Sequence, residues 1–141
     1  MYKKTITYTD YDDNKRTEDF YFNLNKAEIM EMEMGTSGGM QRMLEKIIAE
    51  QDTKRIIDMF KEIIVKAYGE KDSTGKRFLK IDDNGRPLYH NFIQTEAYSD
   101  LFMELATDAD AATRFVNGIV PQDIGPQDHL TAKNNVTSVK G

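Results

Sequence analysis

The chain has 141 residues, the length of one ordinary domain, with 24 acidic and 19 basic side chains and a formal net charge of −5. This acidic balance disfavours general binding to nucleic-acid phosphates. The absence of cysteine excludes disulfides, thiolate nucleophiles and cysteine-ligated zinc. No apolar stretch approaches the roughly 20 residues of a membrane helix, and the first residues lack a secretory signal. We therefore expect a soluble cytoplasmic protein without a membrane partner.

The composition favours a binding protein over an enzyme. Only two histidines, His90 and His129, are available for acid–base chemistry. Eight methionines, seven phenylalanines and seven tyrosines supply an adaptable and aromatic interior or contact surface. We expect no catalytic residues, no cofactor and no metal.

The first predicted elements are two strands joined by a polar turn. Ile6 and Tyr8 share one face of the first strand, and Phe20, Phe22 and Leu24 share one face of the second. A hairpin alone is marginally stable in water, so this apolar face must rest on the helices that follow. The sequence therefore predicts an α+β domain, mainly α-helical, in which an N-terminal β-hairpin packs on a bundle of about four to five helices.

The first predicted helix begins after Asn25, which can act as the N-cap. Glu28 completes a capping box, and Leu24 and Ile29 are spaced as a hydrophobic staple. A glycine-rich break at 35–39 ends this helix. A second helix is predicted from about residue 40, with a buried stripe of Met43, Leu44, Ile47 and Ile48.

The third predicted helix, capped by Asp52 and ended by Gly69, has the clearest apolar periodicity. Its stripe consists of Ile56, Ile57, Phe60, Ile63, Ile64, Ala67 and Tyr68. A short hairpin about Asn84-Gly85 is predicted next. Its two arms contain Phe78, Leu79 and Ile81 on one side and Leu88 and Tyr89 on the other, with Pro87 confining the second arm to an edge.

Two further helices precede the predicted end of the domain. The first starts near Thr95 and carries an apolar stripe of Ala97, Tyr98, Leu101, Phe102, Leu105 and Ala106. A capping box of Thr107 and Asp110 predicts a last helix over 108–117, which Gly118 and Pro121 end. The sequence thus predicts one mainly helical domain over residues 1–120 and a flexible, disordered tail over 121–141.

Two loops approach known ligand-binding motifs and depart from them in spacing. The segment 69–76 has five residues between its glycines and Arg77 after its lysine, which does not match a phosphate-binding loop. Asp10, Asp12 and Asn14 occupy calcium-ligand spacing, but a lysine stands at the obligatory glycine position and a tyrosine at the bidentate glutamate position. Both segments are predicted to be turns.

Five of the eight methionines fall within fourteen residues around the glycine-rich break. They are Met30, Met32, Met34, Met40 and Met43. Flexible thioether side chains are common on surfaces that accept varied apolar helices, and they also serve as ordinary core filler. Both interpretations stay open, and the five methionines are the candidate partner-binding residues.

The order of four segments resembles that of a known family. These segments are Phe22–Ile29, Ile56–Lys71, Phe92–Leu105 and Phe115–Pro121. As a set, they resemble the small tail assembly chaperones of long-tailed phages and prophages of Gram-positive bacteria. The resemblance covers about residues 5–121, rests on packing and capping residues, and leaves out 82–90 and the tail.

The resemblance implies a role without catalysis. Members of this family are thought to coat the apolar helical tape measure protein before tail tube polymerisation and to leave as tube subunits replace them. The implied partner is the tape measure protein, with the major tail protein and a second copy as further candidates, and the implied location is the host cytoplasm rather than the mature virion. Many genes of the family also produce a longer product by ribosomal frameshifting.

Two functions of other classes stay open. One is a structural component of the virion, such as a tail completion or connector protein, which would persist in purified particles. The other is a small phage protein that binds a host factor or is sensed by a host defence protein.

Overall fold

Residues 1–35 and 53–121, which the computed structural model describes, form four β-strands and five α-helices. The strands are β1 (Tyr2–Thr9), β2 (Lys15–Phe22), β3 (Tyr68–Lys71) and β4 (Phe78–Leu79). The helices are α1 (Lys26–Gly35), α2 (Thr53–Ala67), α3 (Tyr89–Phe92), α4 (Glu96–Thr107) and α5 (Ala109–Ile119). The predicted helix from about residue 40, the Asp52 cap and the predicted tail beyond Pro121 lie outside the described residues.

The predicted N-terminal hairpin is confirmed. β1 and β2 pair antiparallel in continuous register from Tyr2 opposite Phe22 to Thr9 opposite Lys15. The Asp10 carboxylate organises the turn by accepting the backbone N–H groups of Asp12 and Asn14, both at 2.9 Å. This carboxylate therefore serves the turn itself, as the motif comparison predicted.

The hairpin is one half of a larger sheet, in the order β1-β2-β3-β4. β3 pairs antiparallel with β2 through Phe22–Tyr68 and Tyr21–Gly69, and β4 pairs antiparallel with β3. The prediction that Tyr68 continues the helical stripe is wrong, because α2 ends at Ala67 and the chain turns directly into β3. The fold is a mixed α/β architecture with a larger sheet than the predicted mainly helical domain.

Gly69 has a different role from the predicted helix end. A Cβ on this residue would lie 2.6 Å from the Phe78 ring and 2.7 Å from the Leu79 carbonyl oxygen. Only glycine permits β4 to approach β3 this closely, since real Cβ contacts are never so short. Phe78 and Leu79 consequently pair with β3, not with Leu88 and Tyr89 as predicted.

The predicted turn about Asn84-Gly85 is present, although its arms are shorter than expected. Gly85 has a φ of 81°, and Ile81 forms an isolated bridge with Pro87. The Leu88 N–H donates to the Lys80 carbonyl at 2.8 Å. The second arm ends there, because α3 begins at the next residue.

Two helices, α1 and α4, begin at residues whose side chains cap the first turn. Asn25 Oδ1 accepts the Glu28 N–H at 2.8 Å, and Glu28 Oε1 accepts the Asn25 N–H at 2.9 Å, which confirms the predicted capping box. Thr95 caps α4 by accepting the Tyr98 N–H at 3.3 Å. Both helices therefore begin where local sequence chemistry predicts.

The cap of α5 differs from the prediction by one residue. Asp108 Oδ1 accepts the backbone N–H groups of Asp110 and Ala111, at 3.0 and 3.1 Å. The Thr107 hydroxyl instead donates to the Met103 carbonyl at 2.7 Å, inside the preceding helix. The helix also continues through Gly118 to Ile119, so the predicted end at Gly118 is wrong.

An aromatic cluster joins the sheet to the helices. Phe22 is fully buried, with ring centroids 5.8 Å from Tyr68, 5.8 Å from Phe92 and 5.2 Å from Phe115. The Tyr68 and Phe92 rings stack at 4.5 Å. Because these rings come from β2, β3, α3 and α5, one core unites the N-terminal hairpin with the last helix.

The predicted stripe of α2 is buried over most of its described length. Phe60, Ile63, Ile64 and Ala67 are buried, whereas Ile57 is 39% exposed. α4 packs against α2, α5 and β1. Ile57 therefore lies at the edge of the buried stripe instead of inside it.

None of the helices in residues 1–35 and 53–121 is long and apolar enough to cross a bilayer.

Candidate functional site

A groove of about 780 Å³ opens between α1, α2 and the segment 80–89. Its apolar lining includes Leu24, Met32, Val65, Ile81, Pro87 and Tyr89. Its charged lining consists of Glu28, Glu31, Glu62, Lys66 and Lys80. An apolar floor with a charged rim is typical of a surface that binds another molecule.

The first wall of the groove is fixed by the start of α1. The capping box at Asn25 sets the helix phase, which places Ile29 and Met32 on the buried side, three residues apart. Met32 is 7% exposed and lines the groove, whereas Met30 is 64% exposed and does not. The two methionines thus occupy different sides of α1.

Of the five predicted binding methionines, the structure therefore brings one to the groove. The side chains of Met34, Met40 and Met43 lie outside those that the structure describes, so their role stays a prediction. Met32 contributes both to the core and to the groove floor. Met32 is therefore a core residue at the groove, and its role in binding stays a prediction.

Lys80 holds the walls of the groove together. Its ammonium donates to Glu28 Oε2 at 3.1 Å and to the Asn23 carbonyl at 3.0 Å. It also donates to the carbonyl of Lys66, in the last turn of α2. Burial lowers the pKa of Lys80, and the bonded Glu28 opposes that effect. One side chain thus joins the start of α1, the end of α2 and the segment 80–89.

The remaining carboxylates of the groove are free of such contacts. Glu31 on α1 and Glu62 on α2 are exposed, and neither side chain has an ion pair or hydrogen bond with another described residue. Glu28, in contrast, is paired with Lys80. Within the described part of the chain, the groove therefore carries two carboxylates without a side-chain partner, one on each helical wall.

The exposed apolar surface of the groove is concentrated in the segment 80–89. Ile81 is 55% exposed, and Pro87 and Tyr89 are half-buried beside it. Sequence reasoning assigned these residues to a hairpin and did not connect them with the methionines. The tertiary contact that makes them part of a site is the Lys80 interaction with Glu28 of α1 and the Lys66 carbonyl of α2.

In the β3–β4 loop, the hydrogen-bond donors are bonded to the Asp72 carboxylate of the same loop. Asp72 accepts the Thr74 hydroxyl at 2.9 Å and the Arg77 guanidinium at 3.0 Å. Burial raises the pKa of Asp72, but the Arg77 and Thr74 hydrogen bonds outweigh it and hold that pKa at about 2. The loop follows a strand, not a helix as predicted from sequence, and it leads into β4. The turn prediction is confirmed from Asp72 onwards, whereas residues 69–71 belong to β3. The Asp72 carboxylate occupies the Thr74 and Arg77 donors of this turn.

None of the described residues that line the groove is a histidine, and His90 lies outside the groove with its ring 4.7 Å from that of Tyr89. Within 1–35 and 53–121, no group of three or more histidines or acids is placed to hold a metal ion. What the described arrangement offers chemically is apolar contact area with charged edges.

The described residues form a mixed α/β fold whose candidate site is the groove between two helices and the segment 80–89. The chain matches the model of the phage tail assembly chaperone family over residues 1–139, and it belongs to that family. The match confirms the resemblance and extends it over 82–90 and most of the tail. No curated protein and no solved structure matches the chain.

Proposed function

We propose that this protein binds an apolar helical segment of the tape measure protein and keeps it soluble before the tail tube polymerises. Membership of the phage tail assembly chaperone family supports a role in tail assembly. The observation that carries the choice of ligand is the open groove, whose floor is apolar while its edges are charged. An amphipathic helix buries its apolar face in a groove of this kind.

The exposed apolar surface of the groove provides binding free energy for a partner that covers it. Ile81 leaves more than half of its surface in water in the free protein. Covering apolar surface yields about 25 cal/mol per Å², so a helix that covers Ile81, Pro87 and Tyr89 gains binding free energy. The same contact hides apolar surface of the tape measure segment, which is what keeps that protein from aggregating.

The proposed location is the host cytoplasm, with release before the virion is complete. The major tail protein and a second copy of the chain are further proposed partners, since tube subunits replace the chaperone in this scheme. A phage tail assembly chaperone is not a class of enzyme, and we propose no catalysis. A virion component would instead be present in purified particles, which mass spectrometry of particles measures directly.

Co-expression with the tape measure protein tests the proposal. We expect the tape measure protein to be soluble with the chaperone, to aggregate without it, and to co-purify in a complex. Ile81→Asp places a charge at the exposed edge of the groove and should reduce recovered complex at least about tenfold, the effect of losing a central contact. Its own stability should change little, because Ile81 is exposed.

Two matched variants locate the site. Met103 on α4 is 57% exposed and does not line the groove, so Met103→Asp makes the same chemical change elsewhere and should leave the complex intact. Met30→Asp tests the predicted methionine surface on the other side of α1. Equal solubility of the tape measure protein with and without the chaperone would refute the proposed function. Loss of complex with Met30→Asp but not Ile81→Asp would move the site to the methionine surface.

A further inference from the structure

The groove is polarised along its length by the position of Lys80. Lys80 contacts Glu28 in the first turn of α1 and the Lys66 carbonyl in the last turn of α2, so these helix ends meet at one end of the groove. Glu31 lies three residues further along α1, and Glu62 four residues back along α2. Because residues three or four apart are neighbours on a helix face, both carboxylates lie about one turn, roughly 5 Å, beyond the Lys80 junction.

The two ends consequently differ in charge. At the Lys80 junction, Glu28 and Lys80 neutralise each other through a 3.1 Å contact, and the Lys66 side chain adds an exposed positive charge. One turn away from that junction, Glu31 and Glu62 are negative, exposed and without a side-chain partner among the described residues. The apolar floor beside these charges includes Met32, Val65 and Ile81.

We infer that the groove selects an amphipathic helix that carries Lys or Arg beside its apolar stripe, at the end that meets Glu31 and Glu62. This inference rests on the proposed function and specifies the chemistry of its ligand. The apolar floor is the binding surface, and charge complementarity decides which helix occupies it and in which direction. An acidic flank at the same end would place like charges together and is disfavoured.

Two synthetic amphipathic peptides of about 14 residues, about 21 Å long as helices, test this inference. They share one apolar stripe and differ only in two flanking residues at one end, which are lysines in one peptide and glutamates in the other. At low ionic strength we expect the lysine-flanked peptide to bind about tenfold more tightly, the effect of two partly exposed charge pairs. In about 1 M salt the preference should nearly vanish while apolar binding persists.

The double variant Glu31→Gln with Glu62→Gln should bind both peptides with similar affinity. A control variant, Asp12→Asn with Asp100→Asn, changes the net charge equally at two exposed carboxylates outside the groove and should keep the preference. Equal binding of the two peptides by the natural protein overturns the inference, as does a preference that survives in the Glu31/Glu62 variant.

Complex formation with the tape measure protein distinguishes a failure of this inference from a failure of the proposed function. If the complex forms but neither peptide binds, or the peptides bind equally, only the ligand chemistry inferred here is wrong. If no complex with the tape measure protein forms, the proposed function fails. Self-association that Ile81→Asp abolishes would assign the groove to a second copy of the chain and overturn the inference.

Discussion

The ring of Tyr2 in β1 lies directly against the backbone of Gly118 in α5, where a Cβ atom would overlap the ring. The same ring stands edge-on to Phe115, with centroids 5.4 Å apart. Gly118 thus permits the first strand to approach the last described helix. The α5 helix continues through it because close packing, and not helix termination, is the role of this glycine.

Gly118→Ala should therefore destabilise the protein by about 1–3 kcal/mol, the typical cost of overpacking a close contact. In an exposed helix the same change is stabilising by about 0.5–1 kcal/mol, because alanine is the better helix former. Most of this cost should disappear in the background of Tyr2→Ala, which removes the obstructing ring and leaves only the Cβ of residue 2, 3.1 Å from the added atom. Chemical denaturation of the four proteins of this double-mutant cycle measures the effect. A stabilising Gly118→Ala in the natural background would contradict the contact.

Two phenylalanines at predicted core positions should respond differently to truncation. Phe60 is 1% exposed at the centre of the α2 stripe, and Phe60→Ala should cost about 3–5 kcal/mol. Phe102 is half-buried beside Tyr98, with ring centroids 5.9 Å apart, so Phe102→Ala should cost about half as much. Sequence periodicity treats the two positions alike. Equal losses in urea denaturation would support the sequence prediction against the structure.

Local signals in the sequence predict the local structure well. The Asn25–Glu28 capping box, the Thr95 cap and the Asp10 turn each depend on residues fewer than five positions apart, and all are found. β3 escapes prediction because it is four residues long and owes its pairing to distant β2. β4 lies where a hairpin arm is predicted, but it is two residues long and pairs with β3 instead of the predicted second arm. A strand this short has no readable alternation, and α2 passes into β3 without a glycine or proline between them.

The candidate site likewise combines a feature predicted from local sequence with features that depend on contacts between distant segments. Met32 is predicted from the methionine cluster, since that signal is compositional and local. Ile81, Pro87 and Tyr89 belong to the site only because Lys80 binds backbone carbonyls of two segments that are distant in sequence. No spacing rule contains that contact, so the groove becomes visible only in three dimensions.

The domain boundary predicted at about residue 120 has a structural anchor. The Leu24 N–H donates to the Ile119 carbonyl at 2.7 Å, which ties the end of α5 to the segment after β2. We expect deletion of 122–141 to change the free energy of unfolding by less than about 0.5 kcal/mol. Limited proteolysis should cut first after Pro121. Earlier cleavage within α2, with the last twenty residues protected, would contradict this boundary.

Alkaline pH should weaken the fold through Tyr68. Burial and the neighbouring Glu70 carboxylate raise the pKa of Tyr68 to about 12, against an ordinary value near 10. Because the folded state holds this proton more tightly than the unfolded state, the stabilisation is complete below pH 10 and is lost as the pH rises towards 12. Two pKa units correspond to about 2.7 kcal/mol, and solvent screening of this incompletely buried hydroxyl should reduce the loss to about 2 kcal/mol or less. Burial also raises the pKa of Tyr98, so Tyr98 contributes part of the stability lost at alkaline pH.

Tyr68→Phe keeps the ring and removes the titrating hydroxyl. The variant should lose less stability between pH 10 and pH 12 than the natural protein, while Tyr11→Phe, at an exposed tyrosine, serves as the matched control. Denaturation at several pH values measures both. The same slope for Tyr68→Phe and the natural protein would show that Tyr68 does not carry the effect.

Lys80 shapes the groove without supplying its apolar floor. Lys80→Met keeps the length of the side chain but loses the bonds to the Asn23 and Lys66 carbonyls and to Glu28. We expect a loss of about 2 kcal/mol in stability, since hydrogen bonds from charged donors are strong but the burial of the charge offsets part of their gain. Glu28→Gln leaves both carbonyl contacts in place and should cost less than about 1 kcal/mol.

The two variants should also differ in how they affect binding. In Lys80→Met, hydrogen exchange at the Leu88 amide, which is bonded to the Lys80 carbonyl at 2.8 Å, should accelerate because the segment 80–89 has lost its anchor on both helices. Recovery of the tape measure complex should fall with it, whereas Glu28→Gln should retain most of the complex. If both variants lose the same stability and the same complex, the Glu28 ion pair, and not the carbonyl contacts, holds the groove in shape.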